Sequence, residues 1–283
     1  MKPVIIIGAP RSGTNILRDV LTSLPGLTTW PCDEINLMWR HGNARYPNDE
    51  LPPELATPAV QRYMRREFER LARRHGGQVV VEKTCANSLR VAFVERIFPD
   101  ATYLFIVRDG IDAIASAMQR WTAPVDLIYT LRKARWVPVA DLPYYGARFV
   151  RNRLHRTLTL EKRLALWGPV FDGMREAAAE LTLEEVCALQ WKTCVQRAEA
   201  ALERLSADRV LRLRYEDFAR DAAPQTSRIL SFLQIPVATT LVAAAVEGVR
   251  DKSIGKGRRF LTAQQRQHIA RQLGRCAGHR CER

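Results

Sequence analysis

The residues here that could do chemistry are cations standing just past apolar runs. Arg11 follows residues 4–7, Lys83 closes the run from 79, Arg108 follows 102–107, and the carboxylate Glu34 comes soon after 27–30. Cations so placed can hold an oxyanion or offset charge that builds up during group transfer, and a carboxylate beside them can take a proton. Arg11 lies inside Gly8-Ala9-Pro10-Arg11-Ser12-Gly13-Thr14-Asn15. The β-branched residues before it read as a strand buried on both faces. At Gly13 a helix-periodic segment opens, with Ile16, Leu17, Val20, Leu21 and Leu24 on one side. Strand, glycine loop and helix in that order point loop N–H groups and the positive end of a helix dipole at one anion.

The spacing G-x-x-x-x-G is that of a nucleotide P-loop, but the positions that follow do not fit a triphosphate site. Such a site wants lysine and then a metal-binding hydroxyl; here Thr14 and Asn15 stand in those places. The cation sits in the loop as Arg11 instead, which suggests an anionic group held by a fixed guanidinium without a metal.

The elements that must position these residues alternate between strand and helix. After Pro25-Gly26, a short strand over 27–30 leads to Pro31-Cys32-Asp33-Glu34. The prolines at 47, 52, 53 and 58 make the 40s and 50s loop. A charged helix over 59–75 closes at Gly76-Gly77, and strand 79–83 precedes an amphipathic helix over 88–98. Strand 102–107 ends on Arg108-Asp109-Gly110, where Asp109 suits a helix N-cap. Thr182-x-x-Glu185 is a capping box opening a long helix, and 209–214 is a late strand before Tyr215. Helices near 223–233 and 238–248 come before the basic loop 251–259, and a last helix starts at Thr262. Strands alternating with helices predict an α/β fold: a central parallel sheet flanked by helices, with a helical insertion over 121–206. Ligands of such sheets bind at the carboxyl ends of the strands, where Arg11, Glu34, Lys83 and Arg108 all fall.

Size and charge bound the rest. A chain of 283 residues can bury a full core as a single domain, and 47% hydrophobic with 26% charged residues is an ordinary globular balance. The sequence enters its first strand directly and has no apolar run of 18 residues, so neither a signal peptide nor a spanning helix is expected and a cytoplasmic setting is. The net charge of +14 comes from seven lysines and 37 arginines against 30 acids. It permits polyanionic partners, though the arginines are spread along the chain. The region 121–180 concentrates arginine with Trp121, Tyr129, Trp136, Tyr144, Tyr145 and Trp167. It reads as a helical subdomain, with peripheral docking at the inner membrane as a second reading. Six cysteines without a C-x-x-C pair read as reduced thiols. Cys276, His279 and Cys281 fall in a polar tail, 275–283, that reads as frayed, and no histidine shows ligand spacing, so no metal is assigned.

Four segments, in order, resemble the sulfotransferases that use 3′-phosphoadenosine 5′-phosphosulfate (PAPS), which have a P-loop NTPase-like fold. Gly8 through Thr14 is similar to that family's 5′-phosphosulfate loop in its arginine version. Ile106-Val107-Arg108-Asp109-Gly110-Ile111-Asp112, with Ser116 after it, resembles the 3′-phosphate motif. Leu213-Arg214-Tyr215-Glu216-Asp217-Phe218 resembles the strand-end segment whose tyrosine lies near adenosine, and 253–261 the loop that closes over the nucleotide. Asn15 departs from the family's Thr or Ser, and Lys256-Gly257-Arg258 from its Arg-Lys-Gly.

The resemblance implies PAPS as co-substrate, bound by Pro10, Arg11, Ser12, Gly13, Thr14 and Asn15 at the 5′ end and by Arg108 and Ser116 at the 3′-phosphate. Tyr215, Lys256, Gly257 and Arg258 would complete the nucleotide site. Glu34 would be the base, with Asp33 the nearby substitute, Arg11 and Lys83 would flank the transferred group, and Ser253 would touch it. The acceptor expected is a hydroxyl on a glycan or glycolipid; no nucleic acid partner is expected. Two other classes remain. A kinase-like phosphotransferase is opposed by Thr14 at the lysine position and by Arg108 where a metal-binding Asp would sit. A non-catalytic binder of anionic polymers is favoured by the net charge and the arginine-rich 127–165 stretch.

Overall fold

The structure is a computed structural model that describes residues 1–122 and 166–274, with positions 141, 146, 147 and 150 between them. Most of the arginine- and aromatic-rich stretch, with Tyr129, Trp136, Tyr144 and Tyr145, lies outside the described residues, as does the tail from 275 with its Cys276, His279 and Cys281.

Five strands make one parallel sheet: β1 (Lys2–Ile7), β2 (Leu27–Thr28), β3 (Val79–Lys83), β4 (Thr102–Val107) and β5 (Val210–Arg214), in the order β2-β3-β1-β4-β5. The helices between them are α1 (Thr14–Thr22), α2 (Asn36–Trp39), α3 (Pro58–His75), α4 (Val91–Ile97) and α5 (Gly110–Thr122). Later come α6 (Met174–Glu180), α7 (Leu183–Leu202), α8 (Tyr215–Arg220), α9 (Ala222–Leu233), α10 (Thr239–Val246), α11 (Lys256–Phe260) and α12 (Ala263–Gly274).

The alternation along β1 explains the layers. Ile5 and Ile7 face a core with Val80, Tyr103, Phe105 and the inner faces of α3, α4, α5 and α7. Val4 and Ile6 face the other side, against α1, α8 and α9. With both faces covered, the central strands β1 and β4 are almost wholly apolar, as buried parallel strands are, whereas the edge strand β5 exposes Arg212 and Arg214. From β1 the chain crosses to the edge strand β2 and returns inward through β3, then runs outward on the opposite side through β4 and β5. The loop after β1 therefore sits where the winding reverses, flanked by the ends of β3 and β4, and that crevice is where open α/β sheets bind ligands.

Three local differences from the sequence reading have physical causes. Strand β2 stops at Thr28 because Trp30 turns into the core, its ring 4.8 Å from Phe68 in an edge-on pair. The helix expected over 88–98 is split into a 3-10 turn, Cys85–Leu89, and α4. The break falls at Arg90, whose buried guanidinium bonds Asn87 and Asn36 at 2.9 and 2.6 Å. The proline-rich 40s and 50s carry a 3-10 turn, Pro53–Leu55, where only loop was expected. The capping box at Thr182 and Glu185 forms as read.

Phe68 joins Trp30, Trp39 and Phe98 in one ring cluster under the β2 edge. Phe68→Ala should therefore cost about 3–5 kcal/mol of stability, measured by urea unfolding; a loss under about 1 kcal/mol would mean the cluster is not packed as described.

Candidate active site

The loop between β1 and α1 is built from residues that tolerate its geometry. Gly13 is left-handed at φ +87°, and a Cβ there would lie 2.2 Å from the Tyr215 ring. Gly8 is closed in as well, with a Cβ falling 2.8 Å from the Ile106 carbonyl oxygen. Arg11 takes a left-handed φ of 67° despite its side chain, a conformation that costs free energy and that functional loops retain. No side chain caps the start of α1 at Gly13, so its first-turn N–H groups stay available to a ligand. Pro10, Ser12 and Thr14 are buried around them, Asn15 is half-buried, and the Ser12 hydroxyl is a buried group without a partner.

Arg108 joins this loop to two others. Its Nη1 donates to the Arg11 carbonyl at 3.1 Å and its Nη2 to the Ser253 carbonyl at 2.7 Å. The guanidinium stacks 4.6 Å from the centre of the Tyr215 ring. It is 8% exposed, and its Nε has no partner. Arg11 Nε donates to Ser116 Oγ, in the second turn of α5, at 2.9 Å, and Arg108 lies 3.8 Å from Asp112 in the first, so both guanidiniums lie against the N-terminal half of that helix. Burial, and then the neighbouring Arg120 and Arg108, press the Arg11 pKa down. Such crowding of like charge is what an anion would relieve.

The second half of the site lies at the end of β3. Lys83 is 5% exposed and donates to Glu34 Oε1 at 3.1 Å; the Cys85 N–H donates to the same oxygen at 3.2 Å. Burial works against the Lys83 ammonium, but Glu34 outweighs it and raises its pKa. Asp33 turns away, its carboxylate 3.7 Å from Arg18. Geometry thus separates two acids that sequence could not: Glu34 meets the strand-end lysine, and Asp33 does not.

Other expected residues fall as follows. Tyr215, which the sequence reads equally as core or as adenine platform, is buried as a wedge between Gly13 and Arg108, and its hydroxyl meets Ser253 Oγ at 2.5 Å. Ser253 therefore stands on the Arg108 side. Lys256 and Arg258 are exposed on α11 while Gly257 is buried against α5, where a Cβ would come 2.5 Å from the Ile111 carbonyl.

Several positions that hold the site together are not apparent from the sequence. Asp112, 3% exposed, accepts from the Gly255 and Gly257 N–H groups at 2.6 and 2.7 Å. Glu216 accepts from the Asp109 N–H at 2.9 Å, tying β5 to β4. Both lie within a few residues of Arg108 or Tyr215 in sequence, and that proximity is the available signal. Beneath Glu34 lies a buried polar network with no such signal. Thr84 donates to Glu82 and accepts from the Ile35 N–H, while Asn87 donates to Glu82 at 2.9 Å. Arg90 and Arg40 meet Asp49 at 3.7 and 3.0 Å, and Asn36 donates to Asp49 at 3.2 Å. A cavity of about 200 Å³ opens beside it, lined by Asn36, Arg40, Asn48, Asp49 and Gly168 among others. Gly168 backs onto the phosphate-type loop, since a Cβ there would sit 3.5 Å from Pro10. Among the described residues no group of three or more His, Cys, Asp or Glu could hold a metal ion, and no helix is long and apolar enough to cross a membrane.

A five-stranded parallel sheet with an anion-type glycine loop at its switch point is a P-loop NTPase-like fold. A profile of the Sulfotransferase family matches residues 3–156 and 147–239, and the chain belongs to that family of transferases. Similar solved structures include the sulfotransferase domain from the curacin biosynthetic pathway, with 16% identity, TM-score 0.55 and coverage of 96% of this chain and 97% of that one. The sulfotransferase domain of the Synechococcus PCC 7002 olefin synthase shares 17% identity, with TM-score 0.56 and coverage of 98% and 95%. Mouse sulfotransferase SULT7A1 complexed with PAP shares 14% identity, with TM-score 0.50 and coverage of 97% and 84%. No match was found among curated protein sequences.

Burial raises the Glu82 carboxyl to about 7, with the Thr84 hydrogen bond opposing. The folded protein then holds a proton that the unfolded chain releases at ordinary carboxylate pH. Stability should fall as pH rises through that window, by up to about 1.4 kcal/mol per unit. Urea midpoints taken at roughly pH 5 and pH 8 should converge in Glu82→Gln; an unchanged slope would remove Glu82 as its source.

Proposed function

We propose that this protein transfers a sulfuryl group from PAPS to an acceptor hydroxyl, with Glu34 as the base. The observation that carries the reading is the junction of Arg108 with the Arg11 backbone. It brings the loop suited to a 5′-phosphosulfate and the strand end suited to a 3′-phosphate within reach of one nucleotide. The residues fit such a group. Unpartnered Ser12 Oγ and Arg108 Nε, glycines where a Cβ would clash, and mutually repelling guanidiniums all favour a bound polyanion. The mouse enzyme's complex with PAP supports the same nucleotide class.

PAPS supplies a sulfuryl group whose bond to the 5′-phosphate oxygen breaks as the acceptor oxygen bonds to sulfur. Residues 10–15 would hold the 5′ end, and Arg108 and Ser116 the 3′-phosphate. Lys256, Gly257 and Arg258 would lie over the nucleotide, with Tyr215 supporting it from below and Ser253 beside it. Glu34 would take the acceptor proton, while Lys83 and Arg11 offset charge on the sulfuryl and bridging oxygens. Lys83 also holds Glu34 in place. The acceptor approaches through the cavity that begins two residues past Glu34, where Asn36, Arg40, Asn48 and Asp49 alternate with the apolar Leu37, Pro47 and Val170. Its amide and charged lining suits a hydroxyl-rich carbohydrate or glycolipid, with the helical segment 121–206 of a single domain on that side. A cytoplasmic enzyme, with peripheral contact at the inner membrane, fits this reading.

Titration should separate 3′-phosphoadenosine 5′-phosphate from adenosine 5′-phosphate clearly, and Arg108→Ala should erase most of that difference. Arg11→Ala and Glu34→Gln should each lower kcat by ~10²–10³ while nucleotide affinity changes much less. Equal loss of binding and turnover would count against both assignments.

A further inference from the structure

We infer that Asp112 is a positioning residue: its buried carboxylate latches the loop 253–257 onto the first turn of α5 and so fixes the cations of 256–258 for the nucleotide. The inference rests on reading Arg108 and this loop as the 3′-phosphate site. Asp112 Oδ2 accepts from the Gly255 N–H at 2.6 Å and Oδ1 from the Gly257 N–H at 2.7 Å. One carboxylate thus grips the backbone on both sides of Lys256.

Three further features show that the loop is fitted here. Gly257 lies so close to α5 that a Cβ would come 2.5 Å from the Ile111 carbonyl oxygen. Gly255 is left-handed at φ +73°, which turns the chain into α11. Arg108 binds the Ser253 carbonyl at the other end of the loop and lies 3.8 Å from Asp112 Oδ2. Asp112 is itself fixed, because Asp109 Oδ1 accepts from its N–H at 3.1 Å as an N-cap. A carboxylate near phosphate cations would ordinarily repel the ligand. Here both oxygens are spent on backbone donors, so its charge orders the loop and balances Arg108.

Asp112→Ala removes two charge-assisted hydrogen bonds and leaves two N–H groups near α5 unpaired. The ordering of the loop then falls on nucleotide binding. Affinity for 3′-phosphoadenosine 5′-phosphate should fall ~10–100-fold while that for adenosine 5′-phosphate changes less than ~3-fold. The KM for PAPS should rise, with kcat at saturating PAPS within ~3-fold of the parent. Asp112→Asn, which keeps one acceptor oxygen, should lie between the two and serves if the alanine variant does not fold. Hydrogen–deuterium exchange over 251–260 of nucleotide-free protein should be slow in the parent and fast in both variants.

Unchanged exchange in these variants, or equal weakening toward the two nucleotides, would overturn the latch. If the parent does not distinguish the two nucleotides, the 3′-phosphate reading fails instead. The exchange comparison would still report the latch by itself.

Discussion

One buried guanidinium carries the architecture of this site. Arg108 leaves the end of β4 with almost no exposure, and a charge so placed must be matched by partners or it costs several kcal/mol. Its partners are the carbonyls of Arg11 and Ser253, the face of Tyr215 and the nearby Asp112. Satisfying Arg108 therefore requires the loop after β1, the end of β5 and the late basic loop to meet at one place. Arginine suits the task because a planar fork can donate in two directions while its face stacks on a ring.

A consequence of that convergence is surplus positive charge. Burial first, and then Arg120 and Arg108 nearby, depress the Arg11 pKa, and Arg11 holds a left-handed backbone besides. Neither feature helps the fold by itself, and strain of this kind collects where a ligand is bound. Of the carboxylates nearby, Asp112 balances Arg108 from one side, and neither it nor Glu216 pairs with Arg11. Asp112 and Glu216 face backbone N–H groups at its rim, where they order the loops and leave the middle cationic.

Glu34 belongs to a differently built half. The segment that bears it is short, and rigidity comes from below, through Thr84, Glu82, Asn87, Arg90 and Asp49. A buried network in which nearly every group is paired specifies one arrangement, and here it sets Glu34 beside Lys83 while Asp33 goes to Arg18. The two halves sit on opposite sides of β1 because the sheet order reverses there.

The strands, the capping box at Thr182, the glycine loop and the cations past the strand ends were legible in the sequence. Each depends on periodicity or spacing over a few residues, which the backbone reads locally. The resemblance that linked the four segments was likewise carried by short motifs. What the sequence left open was which side chain meets which: Glu34 against Asp33, Tyr215 as wedge or platform, and any role for Asp112 or Glu82. Those answers depend on contacts such as Arg108 to Ser253, 145 residues apart along the chain. Only the packing of β1 between β3 and β4 brings such pairs together, because burial, unlike periodicity, is a property of the whole sheet.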